Sequence, residues 1–495
     1  MSETRAVFGH STVYALAAVL NRGAGFLLLP LYTHFLDPSD FGVLGVITIT
    51  SEVVGAVIGV KLGTAMSRLV FDYADEHARN ELVSTAILGL GSISAASSAI
   101  LALAAMPLAT LLLGDPNQGV LLCLGVVGLL LNVVFTLGLQ HLIVLQRSKT
   151  VLMASTLRSV GYLGLSTLFV AFLGLGVFGA LLGILLTNAL AAAGLIVPLL
   201  VRIGFRFSRA KFISMLGFGL PLLPAQLAEL LVRFADRYLL AQFASMASSG
   251  VFFLGLRLGS ILPLVFTSPF NQIYIVRRFE AHGRNDDDSE AARLFTYFFA
   301  ILVCGALGLS LLAPQLIALL TFRRPQYLGA AAVIPLLALA EAVRSILLIV
   351  ELGIFYAKIP RYLTWATLAT LLIHVPLTAV MITMLGVVGA AAAVCLSTSF
   401  RLVVTCRLAR GLNGPRPEWG YLMVILVAGT TAFGVSWAID LALGSVWGLV
   451  GRVLLACLFP LLLLGSPLFS TSERQALRTF VTQRLAGART APGVG

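Results

Sequence analysis

The sequence predicts an all-α polytopic membrane protein of about 14 transmembrane helices. Three observations lead there. Hydrophobic residues make up 59% of the 495 and charged residues only 11%, against about 25% charged in an average soluble domain. A soluble chain of this length could not hide that much apolar surface, which excludes a water-soluble globular enzyme. The apolar residues fall in runs of roughly 20 without alternating polarity, the length of a membrane-crossing helix rather than of a barrel strand. The basic residues collect in every second loop.

Taken in order, the apolar cores are 10–30, 41–64, 83–105, 118–140, 151–173, 177–200, 213–240, 247–270, 293–313, 330–354, 362–384, 387–408, 419–439 and 446–469. Asn21 and Arg22 inside the first argue against a cleaved signal peptide. Gly55, Gly59 and Gly63 form a small-residue strip on the second, suited to close helix packing. Pro221 and Pro224 in the seventh, and Pro263 and Pro269 in the eighth, should kink or break those helices. The five cysteines all lie within spans and none has CxxC spacing, so neither a metal site nor a disulfide framework is expected.

Counting from an N-terminus in the cytoplasm, the cytoplasmic segments hold 22 of the 33 Lys and Arg residues, whereas the opposite loops hold only Arg323 and Arg324. This bias predicts both termini in the cytoplasm and an even number of spans. It accounts for most of the net charge of +12 without a nucleic-acid partner. Nine cations remain in or near the spans: Arg22, Lys61, Arg158, Arg233, Arg237, Arg257, Arg344, Arg401 and Arg452. Each costs about 2.5–3.5 kcal/mol at a helix centre and should face a cavity or a partner. The interior acids Glu52, Glu229, Asp236, Glu341 and Glu351 are fewer, so the interior should be net positive.

A repeat of six spans is visible. Phe35–Gly42 matches Phe243–Gly250 at an offset of 208, Lys149 matches Lys358 at 209, and Gly176–Ala180 matches Gly386–Ala390 at 210. An even-numbered unit places both copies in the same orientation, related by an axis along the membrane normal. The expected organisation is an N-terminal six-helix lobe (1–201), a basic cytoplasmic linker (202–212), a C-terminal six-helix lobe (213–410), two extra helices (411–469) and a basic cytoplasmic tail (470–495). Leu477, Phe480, Val481 and Leu485 give that tail a helical apolar face suited to the inner leaflet, although a loosely ordered basic tail is an equal alternative.

Three segments carry a family resemblance: LLLPLYTHFLDPSDFG (27–42), GTAMSRLVFDY (63–73) and FGLPLLPAQLAELLVRFADRYLLAQF (218–243). Together they resemble the polysaccharide (O-antigen and exopolysaccharide) flippase family of the multidrug/oligosaccharidyl-lipid/polysaccharide exporter superfamily. The resemblance implies a V-shaped pair of lobes with spans 1, 2, 7 and 8 lining a central cavity. It implies passage of an undecaprenyl-pyrophosphate-linked oligosaccharide repeat unit from the cytoplasmic to the periplasmic leaflet of a bacterial inner membrane, by alternating access. Polysaccharide polymerase and export proteins would be partners. No cofactor is implied, and coupling would be to protons, sodium or the membrane potential.

No family motif maps onto a substrate site, so the candidate residues rest on charge and position. Arg22 (span 1), Lys61 (span 2), Arg233 and Arg237 (span 7) and Arg257 (span 8) fall on the four helices expected to line the cavity. Guanidinium groups suit a pyrophosphate because they donate paired hydrogen bonds and stay charged when buried. The plainer reading of Glu229, Arg233, Asp236 and Arg237 is an internal ion-pair ladder, and Lys61 would only snorkel to the interface. Glu341, Arg344 and Glu351 share one face of span 10, as a paired polar seam or as coupling carboxylates, and Glu52 is the other coupling candidate. No HExxH, GxSxG, Walker motif or acidic metal cluster occurs. A drug antiporter, a peptidoglycan-precursor flippase and a membrane enzyme using the same carrier lipid stay open as rivals.

Overall fold

The computed structural model describes residues 23, 25–282, 288–412 and 417–465. Arg22 and the basic tail lie outside them. Among the described residues every element is helical, and ten helices are long and apolar enough to cross a membrane. Large apolar side chains such as Leu103, Phe172 and Leu372 are left exposed, as expected for a surface that meets lipid. The chain is an all-α polytopic membrane protein.

The helices follow the predicted spans. The short helix α1 (Leu29–Phe35) ends the first span. α2 (Pro38–Gly59) and α3 (Leu62–Leu69) share the second. α4 (Glu76–Leu113), α5 (Gly119–Val144), α6 (Ser148–Thr167) and α7 (Gly176–Ile203) are the next four. α8 (Arg209–Gly219) and α9 (Leu223–Phe243) divide the seventh span at a 3₁₀ turn, Leu220–Leu222, built on Pro221 and followed by Pro224. α10 (Met246–Gly259) opens the eighth span; after a π-helical turn headed by Pro263, α11 (Ser268–His282) continues the chain. The expected proline breaks thus occur where a missing N–H and a ring clash interrupt the ladder.

α12 (Asp288–Leu311), α13 (Ala313–Leu320) and α14 (Ala330–Tyr356) come next. α15 (Arg361–Leu408) contains Gly386 at φ 60°, ψ −132°, the point at which the sequence separates spans 11 and 12. Only glycine adopts that conformation without strain. α16 (Trp419–Gly465) likewise covers the last two predicted spans.

Contacts divide the chain into two compact units. The first comprises residues 1–258, 315–337 and 361–404, and the second residues 259–314, 338–360 and 405–495. In the first, Leu240, Phe252, Val333, Leu337, Ile382, Ala390 and Ala391 form a core cluster. The glycine strip packs along α5: a Cβ on Gly55 would meet Leu129, one on Gly59 Val133, and one on Gly63 would overlap the Gln140 amide. In the second unit Phe270 stacks on Phe298 at 3.9 Å. Arg452 donates to Asp440 at 2.5 and 2.9 Å, so the last two spans carry their own ion pair.

Candidate functional site

The site residues sit in the first unit, where α2 and α10 cross. Gly42 and Gly250, which the repeat aligns at an offset of 208, lie against each other. A Cβ on Gly42 would overlap the Met246 carbonyl, and one on Gly250 would overlap the Pro38 carbonyl. A Cβ on Gly45 would lie 3.1 Å from the ring of Phe253, again 208 residues on. Only glycines allow two backbones this close. The repeat-related helices are therefore pinned at their N-terminal ends. Phe41 packs on Phe253 (5.0 Å) and edge-on to Tyr327 (6.2 Å).

The segment before α14 closes over the same end. Arg324 donates to the Leu36 carbonyl at 3.0 Å, Tyr327 Oη to the same oxygen at 2.9 Å, and Thr33 Oγ1 to the Leu320 carbonyl at 3.0 Å. The Arg324–Asp37 ion pair (3.4 Å) is exposed and weak. The two cations of the outer-loop count include one end of this latch, a role that loop charge alone does not reveal.

Below the crossing the arginines gather. The Phe253 ring lies 5.4 Å from the Arg237 guanidinium and 4.9 Å from that of Arg257. Phe234 is 5.3 Å from Arg237 and 5.9 Å from Arg233. Such contacts stabilise a cation by about 0.5–2 kcal/mol, which offsets part of the cost of placing it inside a membrane. Arg237 and Asp236 are buried, whereas Arg233 is exposed and Arg257 half-buried. Glu52 on α2 is exposed and lies within electrostatic reach of Arg237, Arg257 and Arg233. Arg257 also reaches towards the first span, with Nη1 3.6 Å from where a Gly25 Cβ would stand. Spans 2, 7 and 8 thus supply the charged groups of one cluster, and span 1 passes beside it at Gly25.

Glu229 is held from two sides, by Arg401 of α15 at 3.0 Å and by Arg233 at 3.7 Å. Within α9 the spacing brings Glu229 near Arg233, but it misses the shorter partner, Arg401, which is 172 residues away. Among the described residues, four guanidiniums (Arg233, Arg237, Arg257, Arg401) stand with three carboxylates (Glu52, Glu229, Asp236), a small positive excess. Hydroxyl contacts line the same helices: Thr50 with Tyr238 at 2.8 Å, and Tyr32 with Tyr162 at 3.3 Å. Arg158 lies apart from the cluster, bonded to Asn132 at 2.8 Å and Asn188 at 3.3 Å. The asparagines in apolar spans were the available signal.

Lys61 is not part of the cluster. It stands at a break between α2 and α3, where Val60 and Lys61 both have left-handed φ, 40° and 53°. A β-branched residue there is strained. Lys61 lines a cavity of about 230 Å³ together with Asn132, Thr136, Gln140 and Gln226. In the second unit Arg344 approaches Glu341 at 3.8 Å, and Glu351 is half-buried further along the same helix.

A family model described as "Polysaccharide biosynthesis protein" matches residues 9–275. No curated protein matches the chain. Among solved structures the chain is similar to the lipid II flippase MurJ in an inward closed conformation: TM-score 0.72 at 12% identity, covering 91% of this chain and 97% of that one. It is also similar to a multidrug resistance MATE family transporter of the MOP superfamily. The inward-facing form gives TM-score 0.64 at 16% identity, covering 80% of this chain and 94% of that one. The outward-facing form gives 0.51 at 16%, covering 81% and 95%. The fold is the one these transporters share.

Proposed function

We propose, from the premise that the chain belongs to the polysaccharide biosynthesis protein family, that it is a flippase. Its cargo is an undecaprenyl-pyrophosphate-linked oligosaccharide repeat unit, moved from the cytoplasmic to the periplasmic leaflet for O-antigen or exopolysaccharide synthesis. The observation that carries this reading is the convergence of Arg233, Arg237 and Arg257 around Phe234 and Phe253, with Glu52 in reach. A diphosphate is a compact anion that guanidinium groups recognise with paired hydrogen bonds.

The two six-helix lobes, 1–201 and 213–410, rock about the site. The crossing at Gly42 and Gly250, with its latch, closes the periplasmic end while the headgroup enters from the cytoplasm. The polyprenyl tail stays in lipid. When the headgroup displaces carboxylates from the arginines, Glu52 is freed to take a proton or sodium ion, and return of that charge resets the site. No bond is made or broken in the cargo, so the protein acts as a transporter rather than an enzyme. It lies in the bacterial inner membrane with both termini in the cytoplasm, and polymerase and export proteins take the product onward.

A second reading, a peptidoglycan-precursor flippase, is favoured by the likeness to the MurJ structure. Reconstitution in liposomes separates the two. Protein supplied with fluorescent undecaprenyl-diphosphate-linked repeat unit or with lipid II is assayed for exposure of each on the opposite leaflet. Movement of the repeat unit, lost in Arg257→Gln, is expected. Movement of lipid II alone would overturn the first reading, and movement of neither would overturn both.

A further inference from the structure

We infer that the cavity beside Lys61 is a subsite for a single sugar ring, the one joined directly to the diphosphate. This rests on the proposed diphosphate site and adds to it the part of the headgroup that is read first.

The cavity is formed by α2 and α3, α4, α5 and α9. Its amides are the informative part. The Gln140 and Gln226 side-chain oxygens are buried and accept no hydrogen bond. Asn132 is already engaged by Arg158, and the Thr136 hydroxyl by the Asn132 carbonyl. Two acceptors and the Lys61 ammonium are thus left to meet a ligand. Leaving buried acceptors unmet is costly, and a ligand rich in O–H and N–H groups meets them. A hexose or N-acetylhexosamine has donors for both glutamines and oxygens for Lys61. Gly63 is part of the design, since a Cβ there would overlap the Gln140 amide and push it from its place. At about 230 Å³ the space is below the 300–1,000 Å³ of drug-sized pockets, enough for one ring and too small for a repeat unit.

The spacing joins this cavity to the arginines. Along α2, Glu52 and Gly59 are seven residues apart, on one face and about 10 Å along the axis. Along α9, Gln226 and Arg233 have the same separation. Two helices therefore run from the charged cluster to the cavity over the same distance, α9 with Arg233 at one end and the Gln226 acceptor at the other, and α2 with Glu52 beside the arginines and Gly59 in the cavity wall. The strained break at Val60 and Lys61 ends α2 at the cavity and turns Lys61 to its edge.

The test uses full-length protein in nanodiscs and three probes: polyprenyl diphosphate, the same carrier bearing one N-acetylhexosamine, and the free sugar. Two new hydrogen bonds to buried acceptors should make the sugar-bearing carrier bind about tenfold tighter than the bare one. Gln140→Leu and Gln226→Leu, on separate helices, should each reduce that ratio towards one and leave the bare-carrier affinity in place. That affinity also reports folding in each variant. Equal affinity of the wild-type protein for both carriers would overturn the subsite while leaving the diphosphate site standing. Retention of the full ratio in both variants would do the same. Failure of the wild-type protein to bind bare carrier, with the free sugar still bound in a Gln140-dependent way, would overturn the diphosphate site instead.

Discussion

Replacing Gly250 by alanine should open the end of the molecule at which α2 and α10 meet. The added Cβ would overlap the Pro38 carbonyl oxygen and lie 2.8 Å from Gly42 N and 2.9 Å from the Pro38 carbonyl carbon. All three are backbone atoms, which cannot swing aside as a side-chain end can, so the helices must separate. Overpacking of this kind costs about 1–3 kcal/mol. The strain exists only while the crossing is closed, so it falls on one state of the transporter. At 1.4 kcal/mol per factor of ten, the closed-to-open ratio should fall about 5- to 150-fold. Spin labels at Ser39 and Ser245, both exposed, report the opening by pulsed electron-electron distance measurement. A second, longer distance should grow in Gly250→Ala. Gly42→Ala should give the same result, because its Cβ meets the backbone at Met246 and Gly250. Once the helices are apart the second Cβ costs little, so the double variant should shift the ratio by less than the sum of the singles. An unchanged distance distribution in both single variants, or additive behaviour in the double, would refute the reasoning.

Three further outcomes follow from the geometry. Tyr327→Phe removes the hydrogen bond to the Leu36 carbonyl and should weaken the latch by about 1 kcal/mol, raising the open population about fivefold in the same distance measurement. Arg257→Lys keeps the charge but loses the planar fork over Phe253; flipping of the repeat unit in liposomes should fall at least about tenfold at equal protein incorporation. Glu229→Gln leaves Arg401 without its carboxylate. Both groups are partly exposed, so the loss should be about 1 kcal/mol, and thermal unfolding of Glu229→Gln/Arg401→Met should show less than the sum of the single effects.

What the sequence reveals here follows from the range of each interaction. Span positions depend on local composition, and the helices appear where the apolar runs place them. Even the separation of spans 11 and 12 was readable, because Gly386 can adopt a backbone that no neighbour would. Pairing is different. Spacing along α9 correctly brings Glu229 near Arg233, but the shorter contact comes from Arg401 on another helix, and no periodicity within one helix encodes that. Lys61 is grouped with the arginines in the sequence because it lies on span 2, one of the four helices expected to line the cavity. The left-handed turn at Val60 and Lys61, which neither residue type announces, sets it beside amides instead. The repeat is where sequence reaches furthest: an offset of 208 aligns Gly42 with Gly250, and those two glycines touch. The same chemical need, a backbone without a side chain at the crossing, has been kept in both copies of the unit. This explains why so faint a repeat stays visible at that point, since each copy supplies one half of the same contact.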